Sequence, residues 1–187
     1  MADTRGFTLI EVLIVASITG LIASFLILSF SRTRGDIDRA ASGIVADIRN
    51  AQTRAVASTP YGGLVRCGYG IKYVDATHFM LFAGPGDALI DCSTQNRLFG
   101  PEDTAIETVP LADPNVVFKD TFSEIFFEPP DPRTYLNGDN APTAQPANIA
   151  LVPASGSCTG TTCKSICVYR SGRIEIVPTS SNSCVGP

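Results

Sequence analysis

The sequence predicts an α+β chain: one long N-terminal α-helix packed on an antiparallel β-sheet or a small β-sandwich head. Three observations carry this. The nineteen residues from Val12 to Phe30 hold no charge. Behind them, apolar residues recur every three or four positions as far as Val56, the period of a helix with one buried face. After Pro60 the pattern shortens into brief β-rich runs separated by Gly, Pro, Asn and Asp. Pieces of this kind are stable when the sheet closes over the helix.

The uncharged run matches a bilayer core, which takes about 20 apolar residues at a helical rise of ~1.5 Å. Only a helix satisfies all its own backbone polar groups in lipid. Ahead of the run stands Gly6-Phe7-Thr8-Leu9-Ile10-Glu11. A secretory signal peptide places its small-residue cleavage site after the apolar region. Here Gly6 precedes it, so a cut there releases residues 1–6 and leaves the helix on the mature chain. Glu11 sets a carboxylate one turn into the apolar segment. Insertion scales put the cost of such a charge at about 3 kcal/mol in mid-membrane, and it is usually paired or functional. Near the end of the segment it can instead snorkel to the interface.

The helix continues beyond Phe30. Ile37, Ala40, Ala41, Ile44, Val45, Ile48, Ala51, Ala55 and Val56 make the apolar side; Arg34, Asp38, Arg39, Asp47, Arg49, Asn50 and Arg54 take mainly the other positions. Gly35 and Gly43 each weaken it by about 1 kcal/mol relative to alanine. Thr59-Pro60 stops it, because a residue before proline avoids helical geometry. From Phe7 to Ser58 the two halves form a rod of about 80 Å.

Strands are expected over 64–74, with Gly68 and Gly70 marking a bulge or a close backbone approach, and over 77–83, 88–91, 105–109, 116–120, 123–128 and 148–152. The last two, 165–170 and 173–177, are joined by Ser171-Gly172, a two-residue hairpin signal. The segment from Pro129 to Pro146 is rich in Pro, Asn and Asp and reads as an irregular surface loop. The boundaries are therefore a leader at 1–6, a membrane or filament-core helix at 7–30, its amphipathic continuation at 31–59, and a head at 60–187.

From Pro60 onward eight Lys/Arg face thirteen Asp/Glu, a net charge of −5 in the head. That argues against nucleic acid as a partner, since Lys/Arg clusters dominate such affinity. The charges flanking the apolar run do not set its orientation. Cys67, Cys92, Cys158, Cys163, Cys167 and Cys184 all lie in the head, which fits an exported domain better than a reducing cytosol. Six cysteines allow fifteen pairings. Locality favours Cys67 with Cys92 and a C-terminal four that pairs within itself. Zinc is the alternative for those four, but they lack two short C-x₂-C knuckles.

The motif Gly6-Phe7-Thr8-Leu9-Ile10-Glu11-Val12-Leu13 resembles the class III signal of type IV pilins and type II secretion pseudopilins. The resemblance implies the pilin fold, cleavage by prepilin peptidase between Gly6 and Phe7, and N-methylation of Phe7. It implies that the chain is held in the inner membrane with its head outside the cytoplasm, then packs against other pilin or pseudopilin subunits through the helix. Glu11 would then pair with the free amine at Phe7 of a neighbouring subunit, helped to stay ionised by the positive end of the helix dipole. Many major pilins carry a proline eight residues after the position of Gly20, where this chain has Leu28. That departure is more similar to minor pilins and H-type pseudopilins, the GspH/FimT-like group, as is the stretch from Ala46 to Ala57.

Other constellations have competing readings. Asp131, Asn137, Gly138, Asp139 and Asn140 offer oxygen ligands, and some pseudopilins bind calcium in a comparable 131–140 loop. The spacing is not that of an EF-hand, and solvated turn residues explain it equally. No cofactor is otherwise expected. His78 beside Phe79 reads as structural. Phe122, Phe126, Phe127 and Tyr135 read either as core or as an adhesive patch. No nucleophile elbow, phosphate loop or paired-histidine metal motif is present, so the chain reads as a non-enzyme. The rivals are a tip subunit binding DNA or a surface, with Arg66, Lys72, Lys164, Arg170 and Arg173 as its basic residues, and a membrane-tethered exported enzyme.

Overall fold

Thr8 starts the helix. Its backbone is extended and its side chain accepts from the Glu11 N–H, so α1 runs as Leu9–Val56. A computed structural model describes residues 8–86, 91–129, 133–141, 145–156, 158, 162–179 and 184, with backbone alone for 26–33. The C-terminal half of α1 buries Ile37, Ala40, Ala41, Ile44, Val45, Ile48, Ala51 and Ala55, the stripe its spacing predicts. Val56 departs from that expectation and is 48% exposed. At 3.6 residues per turn it lies about 90–100° round from the line through Ile37, Ile48 and Ala55.

Beyond Ala57, Ser58 takes a left-handed conformation (φ 47°). Ser58 N–H donates to Ala55 O and Thr59 N–H to Arg54 O, both at 3.0 Å. These two bonds are the Schellman closure that satisfies the last helical carbonyls, with Pro60 directly after it.

The strands form two antiparallel sheets. The first has the order β3-β2-β1-β5-β6, with β1 Tyr69–Asp75, β2 His78–Ala83, β3 Thr104–Pro110, β5 Ile125–Glu128 and β6 Arg133–Leu136. The second has the order β4-β7-β8-β9, with β4 Val116–Phe118, β7 Ala147–Pro153, β8 Lys164–Val168 and β9 Ile174–Pro178. Tyr69, Ile71, Phe79, Leu81, Ile125 and Phe127 from one sheet join Val116, Phe118, Ile149, Leu151, Ile166 and Val168 from the other in a single core with the helix stripe. The α+β arrangement is thus a helix closed over by two sheets. The turn between β1 and β2 ties them: Thr77 O accepts from Leu111 N–H and Ala76 O from Phe118 N–H, both at 2.8 Å.

Four local expectations are corrected. The first strand begins at Tyr69, not Leu64, because Tyr61–Leu64 closes its own turn through Gly62 (φ 63°) and Gly63 (φ 77°). The loop from Pro129 to Pro146 contains β6, registered Ile125↔Leu136 and Phe127↔Thr134. Asn137 (φ 54°) and Gly138 (φ 77°) turn the chain at its end, a signal the sequence carries openly. The hairpin after β8 uses three residues: Gly172 N–H donates to Tyr169 O at 2.8 Å and Tyr169 N–H to Arg173 O at 2.9 Å. Asp91 caps a short 3₁₀ turn, Cys92–Thr94; residues 88–90 of the strand expected there lie outside the described residues.

Gly70 earns its place on the central strand. It pairs with Phe82 on one side and Phe126 on the other. A Cβ at Gly70 would stand 2.5 Å from Phe82 Cζ and 2.6 Å from Ile125 O. The two rings close over the glycine instead, with centroids 5.9 Å apart. Phe99 joins them 5.3 Å from Phe82, so the outer face of this sheet carries a small apolar cluster of its own.

Candidate functional site

The described side chains in the first half of α1 take no part in the core of the head, which the helix joins only from Ile37 onward. Leu9, Ile10, Val12, Leu13, Ile14, Val15, Ile18, Leu21, Ile22 and Phe25 are each more than half exposed and point in all directions around the helix. A helix apolar on every side is not stable against water and needs burial in lipid or among other helices. Its few polar side chains are turned inward. Ser17 Oγ donates to Leu13 O at 2.8 Å, Thr19 Oγ1 to Val15 O at 2.6 Å and Ser24 Oγ to Gly20 O at 2.8 Å. The rod therefore presents almost no hydrogen-bonding capacity beyond itself. Among the described residues no helix is long and apolar enough to cross a membrane. The uncharged run continues through 26–30, whose side chains lie outside that description.

Glu11 is the exception on this surface. Thr8 N–H and Thr8 Oγ1 each lie 3.4 Å from Glu11 Oε2, and Glu11 N–H lies 3.4 Å from Thr8 Oγ1. This is a capping box, with the carboxylate turned back on the open N–H groups of the first turn. Reading Glu11 only as a membrane charge passes over this partner, although Thr8-x-x-Glu11 is a legible signature. Gly6 and Phe7, the expected cleavage and methylation positions, lie outside the described residues.

Three disulfides join the cysteines: Cys67–Cys92, Cys158–Cys163 and Cys167–Cys184. The first fastens the 91–99 segment over the outer face of the five-stranded sheet. There Lys72 Nζ stands 4.5 Å from the Phe99 ring centroid and 3.4 Å from Glu124 Oε1. The other two hold the C-terminal region to β8 and the residue before it.

The five basic residues do not make a stripe. Lys72 pairs with Glu124, Lys164 with Asp38 of the helix, and Arg173 with Glu175. Arg66 is buried, and Arg170 is exposed with no acid beside it among the described residues. Phe122 and Phe127 lie in the core and Phe126 is buried in the outer-face cluster, while Tyr135 is half-buried and donates to Glu128 Oε2 at 2.7 Å. His78 Nδ1 lies 3.0 Å from Asp75 Oδ1 in the β1–β2 turn. Asp75 also accepts from Thr77 N–H at 2.7 Å and from the Thr77 hydroxyl at 2.9 Å. The Thr77 N–H first, then His78 and the Thr77 hydroxyl, hold the Asp75 carboxyl down to about 2. In the suggested calcium loop, Asp139 accepts from Ala141 N–H at 2.7 Å, and Asp131 lies outside the described residues. Among the described residues no group of three or more His, Cys, Asp or Glu is arranged to hold a metal ion.

Residues 1–27 match the family model described as the prokaryotic N-terminal methylation motif. No curated protein and no solved structure matches the chain. The motif supports a type IV pilin-like N-terminus, and with it prepilin peptidase processing and assembly with other pilin-type subunits.

Proposed function

We propose that the chain is a non-enzymatic structural subunit, a minor pilin or H-type minor pseudopilin, of a type IV pilus-like or type II secretion filament. Prepilin peptidase cuts after Gly6, Phe7 is methylated, and the helix from 7 to 30 holds the subunit in the inner membrane with its head outside the cytoplasm. The observation that supports this is one coincidence. The methylation motif over 1–27 covers the same residues as the rod whose apolar side chains are exposed on every side.

In lipid this rod is already in an apolar solvent, so helix association gains no hydrophobic driving force. Extraction into a filament then takes an external source of energy, an assembly ATPase by resemblance. In the single chain Glu11 is held by its own N-cap. In the filament its carboxylate pairs with the methylated amine of a neighbour and fixes the register of one helix on the next. The dispersed basic residues of the head, Lys72, Lys164 and Arg173 among them already paired with acids, lend nothing to a DNA-binding tip.

Mass spectrometry of the protein recovered from native membranes tests the processing step. The expected chain begins at methylated Phe7, and a chain still carrying Met1 overturns the reading. Glu11→Ala is expected to be cleaved normally yet to be depleted from filaments. Normal incorporation would remove Glu11 from assembly while leaving the processing intact.

A further inference from the structure

Arg66 is a cation only 9% exposed. Its Nε donates to Tyr61 O at 3.0 Å, and its Nη1 to Gly84 O at 3.4 Å and Thr104 Oγ1 at 3.0 Å. All three acceptors are neutral, and among the described residues no carboxylate pairs with it. The other well-covered cations of the head do have acids: Lys72 has Glu124, Arg97 has Glu128 and Lys164 has Asp38. Buried charges are ordinarily paired, because neutral dipoles return only part of the lost hydration.

The unused edge of the guanidinium has an outlet. Nη2 carries two N–H groups, and no described residue accepts from them. The neighbour at that edge is Gly62, where a Cβ would stand 3.2 Å from Nη2. Gly62 is itself exposed, and its lack of a side chain leaves the space beside Nη2 open on that side. The Tyr61 ring flanks the guanidinium at 5.7 Å, and the same turn exposes Leu64 (41%) and Val65 (62%).

We propose that the turn from Tyr61 to Arg66 is a docking site for a protein segment that presents a carboxylate beside apolar side chains, with Arg66 Nη2 as its anchor. A polyanion fits less well. A single N–H edge in a head of net charge −5 gives no track for successive phosphates, and Leu64 and Val65 match apolar neighbours.

The test uses the full chain in detergent micelles, observed by NMR, with a blocked leucyl-glutamyl-valine tripeptide and its glutaminyl counterpart as probes. The glutamyl peptide is expected to shift the Gly62, Gly63 and Arg66 Nε signals and to bind about tenfold tighter, the value of one charge-assisted hydrogen bond. Gly62→Asp tolerates the left-handed backbone and brings a carboxylate to Nη2 from within. It is expected to raise Tm and abolish the peptide response, with Gly62→Asn as the uncharged control. Equal binding of the two peptides, no binding, or a Gly62→Asp chain that still responds overturns the proposal. So does a response at Arg66 to a short single-stranded DNA in place of the peptide. Asp87 lies outside the described residues; Asp87→Asn is expected to change neither Tm nor peptide binding. If it lowers Tm and strengthens peptide binding, the chain supplies its own carboxylate and the proposal falls.

Discussion

Arg97 and Glu128 meet at 2.6 Å, with only 14% and 12% of their side chains exposed. Tyr135 closes the group, donating to the other Glu128 oxygen and lying 5.1 Å beneath the guanidinium. Three separate pieces of chain are joined here: the segment after Cys92, the end of β5, and β6. Removing the guanidinium leaves a largely buried carboxylate with one neutral donor. Arg97→Ala is expected to cost about 2–3 kcal/mol in urea unfolding of the chain in mild detergent. A loss within error would show that the pair is solvent-screened and that the disulfide alone fixes this segment.

Ser58 occupies a left-handed position that glycine takes without strain. Ser58→Gly is expected to stabilise the chain by about 0.5–1 kcal/mol, and Ser58→Val to destabilise it by about 1–2 kcal/mol. Thermal unfolding of the two variants gives opposite shifts if the Schellman closure is present in solution.

Gly70 makes a different demand, since its backbone is extended and the obstacle is space. Gly70→Ala pushes a methyl against Phe82 and Ile125 O and is expected to cost about 2–3 kcal/mol. Adding Phe82→Leu should recover only part of that loss, because the carbonyl cannot move away as the ring can. Full recovery would show that the ring alone sets the limit.

Two carboxyls have opposite acid responses. Burial first, and the Glu107 charge second, raise Asp47 above its ordinary 3.8. Its ionised form therefore opposes folding at neutral pH, and that cost fades as pH falls through the raised pKa. Asp47→Asn is expected to raise Tm at neutral pH, with the gap closing in acid. Asp75, held at about 2, contributes stability that is present above its ordinary 3.8 and is lost as pH falls toward 2. Asp75→Asn is expected to lower Tm at neutral pH, with that gap closing over the same acid range. Parallel shifts of one sign would refute the assignment.

Much of this was legible in neighbouring residues. The apolar stripe from Ile37 to Ala55 follows from a 3.6-residue period, and the approximate positions of β2, β3, β5, β7 and β9 follow from alternation and turn residues. The Thr8–Glu11 box is equally local, though Glu11 also fits a functional reading, and Asn137-Gly138 forms the turn that was one of the two readings of its loop. Pro129 and Pro146 hid β6, a short edge strand whose pairing with β5 offsets a proline-rich setting.

The sequence by itself determined the greasy rod, the methylation motif at its start and the change of period after Pro60, since each depends only on residues close together in the chain. Tertiary structure alone decided that the head has two sheets, that Gly70 lies between two phenylalanines, and that among the described residues Arg66 is buried without an acid while Lys72, Arg97 and Lys164 have one. Those outcomes depend on which strands become neighbours and in what register. Contacts between residues tens of positions apart set them, and no local pattern records such contacts.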